Sequence, residues 1–127
     1  MDDFYREEIL EHYTHPHHYG TLENPDISYE DDNPLCGDRV RFDIRLADDG
    51  RTVADVRFSG VGCAISKASA SMLTDMVLGK TLDEVRELTK EDVLAELGID
   101  LGPVRLKCAL LPLKVVKAGV VEKLGEG

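Results

Sequence analysis

The sequence predicts an α+β domain in which a small antiparallel sheet of about three strands carries packed helices. Two observations predict it. Residues 39–46 and 52–58 alternate apolar and polar on either side of an Asp-Asp-Gly turn, and from residue 63 onward the apolar spacing becomes helical. The order is thus helix, two or three strands, then helices, which suits a sheet with helices on one face. With 127 residues, 43% apolar and 31% charged, the chain is expected to form one domain over 1–127. A core of that size needs no disulfide staples.

Each element has a local reason. Asp2 to Tyr13 is expected to be a helix, with Tyr5, Ile9 and Tyr13 on one stripe and Leu10 beside them. Pro16 disfavours helix at His15 and ends it. His15, His17 and His18 follow in a loop that lacks a carboxylate or Cys at ligand spacing, so a solvated loop is expected there rather than a metal site. Ile27 and Tyr29 mark a short strand over 26–31. In 39–46, Val40, Phe42, Ile44 and Leu46 face inward and Arg39, Arg41, Asp43 and Arg45 outward. Ala47 to Gly50 turns the chain, and the return strand, Thr52 to Phe58, is expected to bury Ala54, Val56 and Phe58.

Ser59 to Gly62 is expected to be a loop, followed by a helix from Cys63 to about Leu78 with Ile65, Ala68, Met72 and Met76 inward. Thr81 with Glu84 and Thr89 with Asp92 are capping-box signals for two short helices. Pro103 starts the last helix, and Pro112 is expected to kink or divide it.

Charge and termini narrow the function. Lys plus Arg is 15 and Asp plus Glu is 25, a formal net charge of −10. Such a surface repels phosphate backbones and anionic lipid, which argues against nucleic acid and membrane partners. No apolar run approaches a membrane span, and Met1 to Arg6 lacks the segments of a signal peptide. Three cysteines, an odd number, then fit a reducing, cytoplasmic setting.

The cysteines carry the chemistry. Cys36 sits in Asn33-Pro34-Leu35-Cys36-Gly37-Asp38, where Pro34 and Gly37 force a turn that aims a thiolate and the Asp38 carboxylate into one space. Cys63 follows a Gly-x-Gly loop at a helix N-terminus, which favours thiolate. Cys108 has Lys107 and Arg105 beside it. None of the three is in mid-element, and binding groups collect at element ends. Three thiolates and Asp38 make a four-donor set suited to Zn²⁺, with Lys107 and Arg39 offsetting its charge. A [2Fe–2S] core is usually held by thiolates alone, and a hard oxygen among sulfurs exchanges more readily. Two other classes are consistent with cysteines at element ends: a structural zinc or adaptor domain, and a Cys-dependent hydrolase, which needs a His base that no Cys has near it in sequence.

The motifs together resemble the IscU/SufU/NifU N-terminal family of iron–sulfur cluster assembly proteins over nearly the whole chain. The opening Tyr5 helix with His12-Tyr13, Pro16 and Gly20 is similar to that family's start. Asn33 to Asp38, Gly60 to Ser66 and Arg105 to Ala109 are similar to its three Cys motifs. The resemblance implies a curved sheet flanked by helices with the metal site at one exposed end, the IscU-like/SufE-like fold. It implies ligands Cys36, Asp38, Cys63 and Cys108, holding Zn²⁺ or a transient [2Fe–2S] cluster. It implies persulfide sulfur from a pyridoxal-phosphate cysteine desulfurase, with Cys36 or Cys108 as acceptor, and recipient apo-proteins or cluster carriers downstream.

Two branches of the family differ at residues seen here. The scaffold branch has His before the third Cys and a Leu-Pro-Pro-Val-Lys segment read by a chaperone; here Lys107 stands at the first and Leu101-Gly102-Pro103-Val104-Arg105 departs from the second. Both resemble the zinc-binding SufU-like branch. The short Cys63–Cys108 spacing, without the insertion of that branch, resembles the scaffold.

Overall fold

A computed structural model describes residues 7–33, 37–98 and 100–126. Tyr5, which the sequence places on the first stripe, and Cys36 lie outside the described residues. The elements run α1 (Glu7–Thr14), β1 (Ile27–Asn33), β2 (Asp38–Leu46), β3 (Val53–Val61), α2 (Ala64–Val77), α3 (Leu82–Arg86), α4 (Lys90–Leu97) and α5 (Pro103–Glu126). The strands form one antiparallel sheet in the order β1-β2-β3. This is the α+β architecture expected, with α5 packed on β1 and β2, α2 against β3 and α5, and α1 on α2.

Alternation makes the sheet. Val40, Phe42 and Ile44 of β2 and Val56 and Phe58 of β3 are buried toward the helices, and Ile44 pairs with Val56 as Phe42 does with Phe58. The predicted pattern is broken at two places. Ala54 is exposed and Val53 takes the buried place, because the β2–β3 register shifts at Arg45/Leu46. An extra residue in one strand moves every side chain beyond it to the other face. Asp43 also departs, since it is buried rather than wet. Its carboxylate accepts from Leu22 N–H at 3.1 Å, Ser28 Oγ at 2.8 Å and Arg41 Nε at 2.9 Å, so the segment before β1 is pinned over this part of the sheet.

β3 runs on to Val61, through residues expected to be a loop. Gly60 allows this at φ +127°, where a Cβ would lie 2.0 Å from the Arg39 carbonyl oxygen. α2 is buried on most sides, with Ile65, Ala68, Leu73 and Val77 fully enclosed. Its run of Ala and Ser lets α1, α5 and the sheet approach closely. Both capping boxes form, and Gly98 ends α4 at φ +66°.

Pro112 does not divide the last helix, which is continuous through it. The ring removes the amide that would bond the Cys108 carbonyl. Packing on β1, β2 and α2 holds the helix together there, and Ser69 Oγ donates to the Ala109 carbonyl at 2.6 Å one turn before the proline.

Two expectations about the N-terminal region are corrected. Ile9 is buried, but Leu10 and Tyr13 are exposed, so α1 turns Ile9 and His12 toward α2 instead of the predicted stripe. The histidine segment is not simply solvated. His12, His17 and His18 bond to Ser71, Asp75 and Thr74 of α2 at 2.6, 2.6 and 2.9 Å. The partners are more than fifty residues away in sequence, where local spacing cannot reveal them.

Candidate metal centre

Three of the four predicted donors meet at one end of the sheet. Asp38 opens β2 opposite Asn33, the last residue of β1. The connection between them is closed by Gly37 N–H donating to the Asn33 carbonyl at 2.9 Å, with Gly37 at φ +71°. That left-handed backbone is what a glycine supplies without strain. Across the sheet, Arg39 pairs with Val61, so the end of β3 and the loop into α2 arrive beside Asp38.

Cys63 occupies the N-cap of α2, with extended backbone at φ −71°, ψ 171°. Its Sγ accepts the Ser66 N–H at 3.5 Å, the position an Asp or Ser oxygen usually fills. Its own N–H donates to Asp38 Oδ1 at 2.9 Å. Gly62 makes room for this, since a Cβ there would stand 3.0 Å from Asp38 Oδ1 and 3.1 Å from Ser66 Oγ. Cys108 enters from the second turn of α5 and is 3% exposed, whereas Cys63 is open to solvent.

The donor atoms of Asp38, Cys63 and Cys108 all lie within 4.8 Å of one another. Tetrahedral zinc with thiolate and carboxylate ligands places its donors about 3.5–3.8 Å apart, so small side-chain rotations suffice. One further observation bears on fit. Asp38 is 1% exposed, and its Oδ2 has no hydrogen-bond partner among the described residues. A buried carboxylate oxygen left unpaired is costly, and a cation held jointly with the two sulfurs satisfies it. The donor set therefore fits a thiophilic divalent metal. A fourth donor would come from Cys36, one residue before Gly37.

Arg39 and Lys107, expected to offset the charge of the donors, are both exposed, where water screens such an effect. Lys107 opens onto a groove of about 450 Å³ lined by Asp32, Asn33, Leu106, Leu110 and Lys114. Sequence reasoning missed Ser66, whose hydroxyl is buried beside Asp38 without a partner among the described residues. The signal available was its place three residues after the capping Cys63, inside the first turn of α2.

Residues 4–125 match the family model of the NifU-like N terminal domain. The chain belongs to this family. Among its relatives, the zinc-dependent sulfurtransferase SufU of Bacillus subtilis is 36% identical, over 98% of this chain and 95% of the relative. That alignment runs over 142 positions against 127 residues here, so the relative carries residues this chain lacks. The iron–sulfur cluster assembly scaffold protein IscU of Aquifex aeolicus is 35% identical over 94% of this chain and 76% of its own.

Solved structures agree on the fold. A SUF-system iron–sulfur cluster assembly scaffold protein from Fervidobacterium islandicum superposes with TM-score 0.79 at 28% identity, covering 92% of this chain and 96% of that one. The N-terminal part of a NifU-like protein from Brucella abortus gives 0.77 at 27% identity, covering 98% and 96%. The curated relatives named here are a sulfurtransferase and an assembly scaffold, which disfavours a purely structural zinc or adaptor domain for this NifU-like chain. No helix among the described residues is long and apolar enough to cross a membrane.

Proposed function

We propose that this NifU-like chain accepts persulfide sulfur from a pyridoxal-phosphate cysteine desulfurase and passes it on for iron–sulfur cluster assembly. Cys36, Asp38, Cys63 and Cys108 hold Zn²⁺ in this reading, and recipient apo-proteins or cluster carriers take the product. The observation that carries it is the buried Asp38 Oδ2, without a hydrogen-bond partner among the described residues, beside two thiols. A cytoplasmic, reducing setting fits three cysteines that must stay reactive.

The residues divide the work. Asp38 Oδ1 holds the Cys63 amide and so fixes the loop before α2. Cys63 is engaged as the helix cap and Cys108 is enclosed, so this reading assigns the reacting thiol to Cys36, which stands between Pro34 and Gly37 in the sequence. Zinc, when bound, keeps coordinating thiols deprotonated at neutral pH. The Cys36 thiolate attacks the outer sulfur of the enzyme persulfide. A new S–S bond forms to Cys36, the old one breaks, and the enzyme cysteine leaves as thiolate. Lys107 and Arg39 favour the approach of the anionic persulfide.

A second reading rests on the short Cys63–Cys108 spacing and the scaffold relatives. There the same four residues hold a transient [2Fe–2S] cluster, Cys108 takes the sulfur, and Asp38 keeps the cluster labile. Alkylation and mass mapping of the chain after exposure to a sulfur-loaded desulfurase separates the two. The added 32 Da of one sulfur atom is expected on Cys36, and Cys36→Ser is expected to abolish acceptance. Full acceptance by Cys36→Ser contradicts the first reading.

A further inference from the structure

The C-terminal end of α2 carries a second donor cluster, about 18 Å along the helix from Cys63 at 1.5 Å per residue. One donor atom each from His12, His17 and Asp75 lies within 4.8 Å of the others. The His12 and His17 rings are 4.4 Å apart between centroids, and His17 Nδ1 is 2.6 Å from Asp75 Oδ2. His17 and Asp75 are each 44% exposed at the side chain, so an ion can reach them from solvent.

We propose that His12, His17 and Asp75 form a second divalent transition-metal site, separate from the cysteine centre and independent of sulfur transfer. Two imidazoles and one carboxylate suit Zn²⁺ or Fe²⁺, which take nitrogen readily; Mg²⁺ and Ca²⁺ prefer all-oxygen sets. Three protein ligands leave a coordination position open, as in exchangeable rather than structural sites. His12 and Asp75 also line a groove of about 640 Å³ with Met72, Met76, Asp92 and Glu96.

The surroundings are built for this arrangement. Ser71 is fully buried, and its Oγ meets both His12 Nδ1 at 2.6 Å and the His17 backbone N–H, which donates to it at 2.8 Å. One hydroxyl thus orients the His12 ring and holds the backbone that carries His17, whose own ring is set by Asp75. With a metal on His12 Nε2, the ring proton sits on Nδ1 and donates to Ser71 Oγ, the outer-shell partner that ligating histidines ordinarily have. At His17 and Asp75 the ion takes the place of the proton between Nδ1 and Oδ2, and the ring proton moves to Nε2. His18 flanks the cluster, with its Nδ1 on Thr74 Oγ1 at 2.9 Å and 3.6 Å from Asp75 Oδ1.

Co²⁺ titration of the zinc-loaded chain tests this. One additional Co²⁺ per chain is expected, with visible d–d absorption and no near-ultraviolet thiolate-to-cobalt charge transfer, while a chromogenic chelator reports no zinc release. Asp75→Asn and His17→Ala should each remove that cobalt. Ser71→Ala should weaken it roughly 10–100-fold, as loss of an outer-shell partner does. His15→Ala, in the same segment and exposed, should leave it unchanged. Asp75→Asn changes one half-exposed group, so the fold is expected to persist by circular dichroism, and His17→Ala checks the assignment independently. No additional cobalt, a cobalt bound equally by all variants, or one showing thiolate charge transfer overturns the site. If the cysteine centre fails to hold zinc, the first cobalt shows charge transfer and the second still reads the histidine cluster alone.

Discussion

At the N-terminal end of α2, Cys63 caps the helix and meets Asp38 and Cys108; at the C-terminal end, Asp75 meets His12 and His17. Among the described residues the first cluster is largely enclosed, with Asp38 and Cys108 buried and Cys63 open. The second is more open, with His17 and Asp75 exposed, His12 half-buried and the anchor, Ser71, buried. Enclosure of soft donors suits a centre that retains its metal while a thiol reacts. Exposure of harder donors suits one whose ion comes and goes. The same rigid helix carries both, so each end can be disturbed without the other, and the middle of α2 controls both.

The largest effect is therefore expected in the middle. Leu73 is fully buried in α2, and Leu73→Ala should cost about 2–5 kcal/mol of stability by loss of packing and a residual cavity. Urea unfolding should show the lower midpoint, and both clusters should bind metal more weakly. At the thiol end, Gly62→Ala pushes on Asp38 Oδ1 and Ser66 Oγ at 3.0 and 3.1 Å. Zinc affinity there should fall roughly 10–100-fold, the range for a displaced supporting group. Cobalt binding at the histidine cluster should be unaffected; a matching loss there would break the comparison.

At the other end, Ser71→Ala should cost about 1 kcal/mol, since two partly buried groups lose a hydrogen bond, and should leave zinc at the cysteines intact. The smallest effect is at the β2–β3 turn. Thr52 Oγ1 and the Arg51 and Thr52 amides hold the Asp49 carboxyl down at about 2. Its unfolded value is near 3.8. The folded value is the lower one, so this contribution is complete above pH 3.8 and is lost as pH falls through about 2. Asp49→Asn should slightly lower the thermal midpoint at pH 7 and flatten its fall between pH 4 and pH 2.

The sheet and helices were legible because they rest on local rules. The β2 alternation, both Thr capping boxes, Gly98 and Pro103 each act within a few residues. What escaped was set by tertiary contact. The bulge at Arg45/Leu46 reversed Ala54 and Val53, and Asp43 was buried by a segment folded over it. Pro112 did not divide the last helix, which packs along its length on β1, β2 and α2. Of the two clusters, the cysteine one could be expected from the turn before Asp38, the place of Cys63 at a helix start, the basic neighbours of Cys108 and the family resemblance. The histidine one could not, because Asp75 and Ser71 reach it only through the docking of α1 on α2.

The most direct measurement is desulfurase turnover with the cognate enzyme in the presence of the chain, either zinc-loaded or metal-free. Acceleration by the zinc form and none by the metal-free form is the predicted result, and it makes the cysteine centre a zinc-dependent sulfur acceptor. Suppression by zinc, with the metal-free chain taking sulfur and building a cluster once iron is added, would contradict it and leave the scaffold reading in its place.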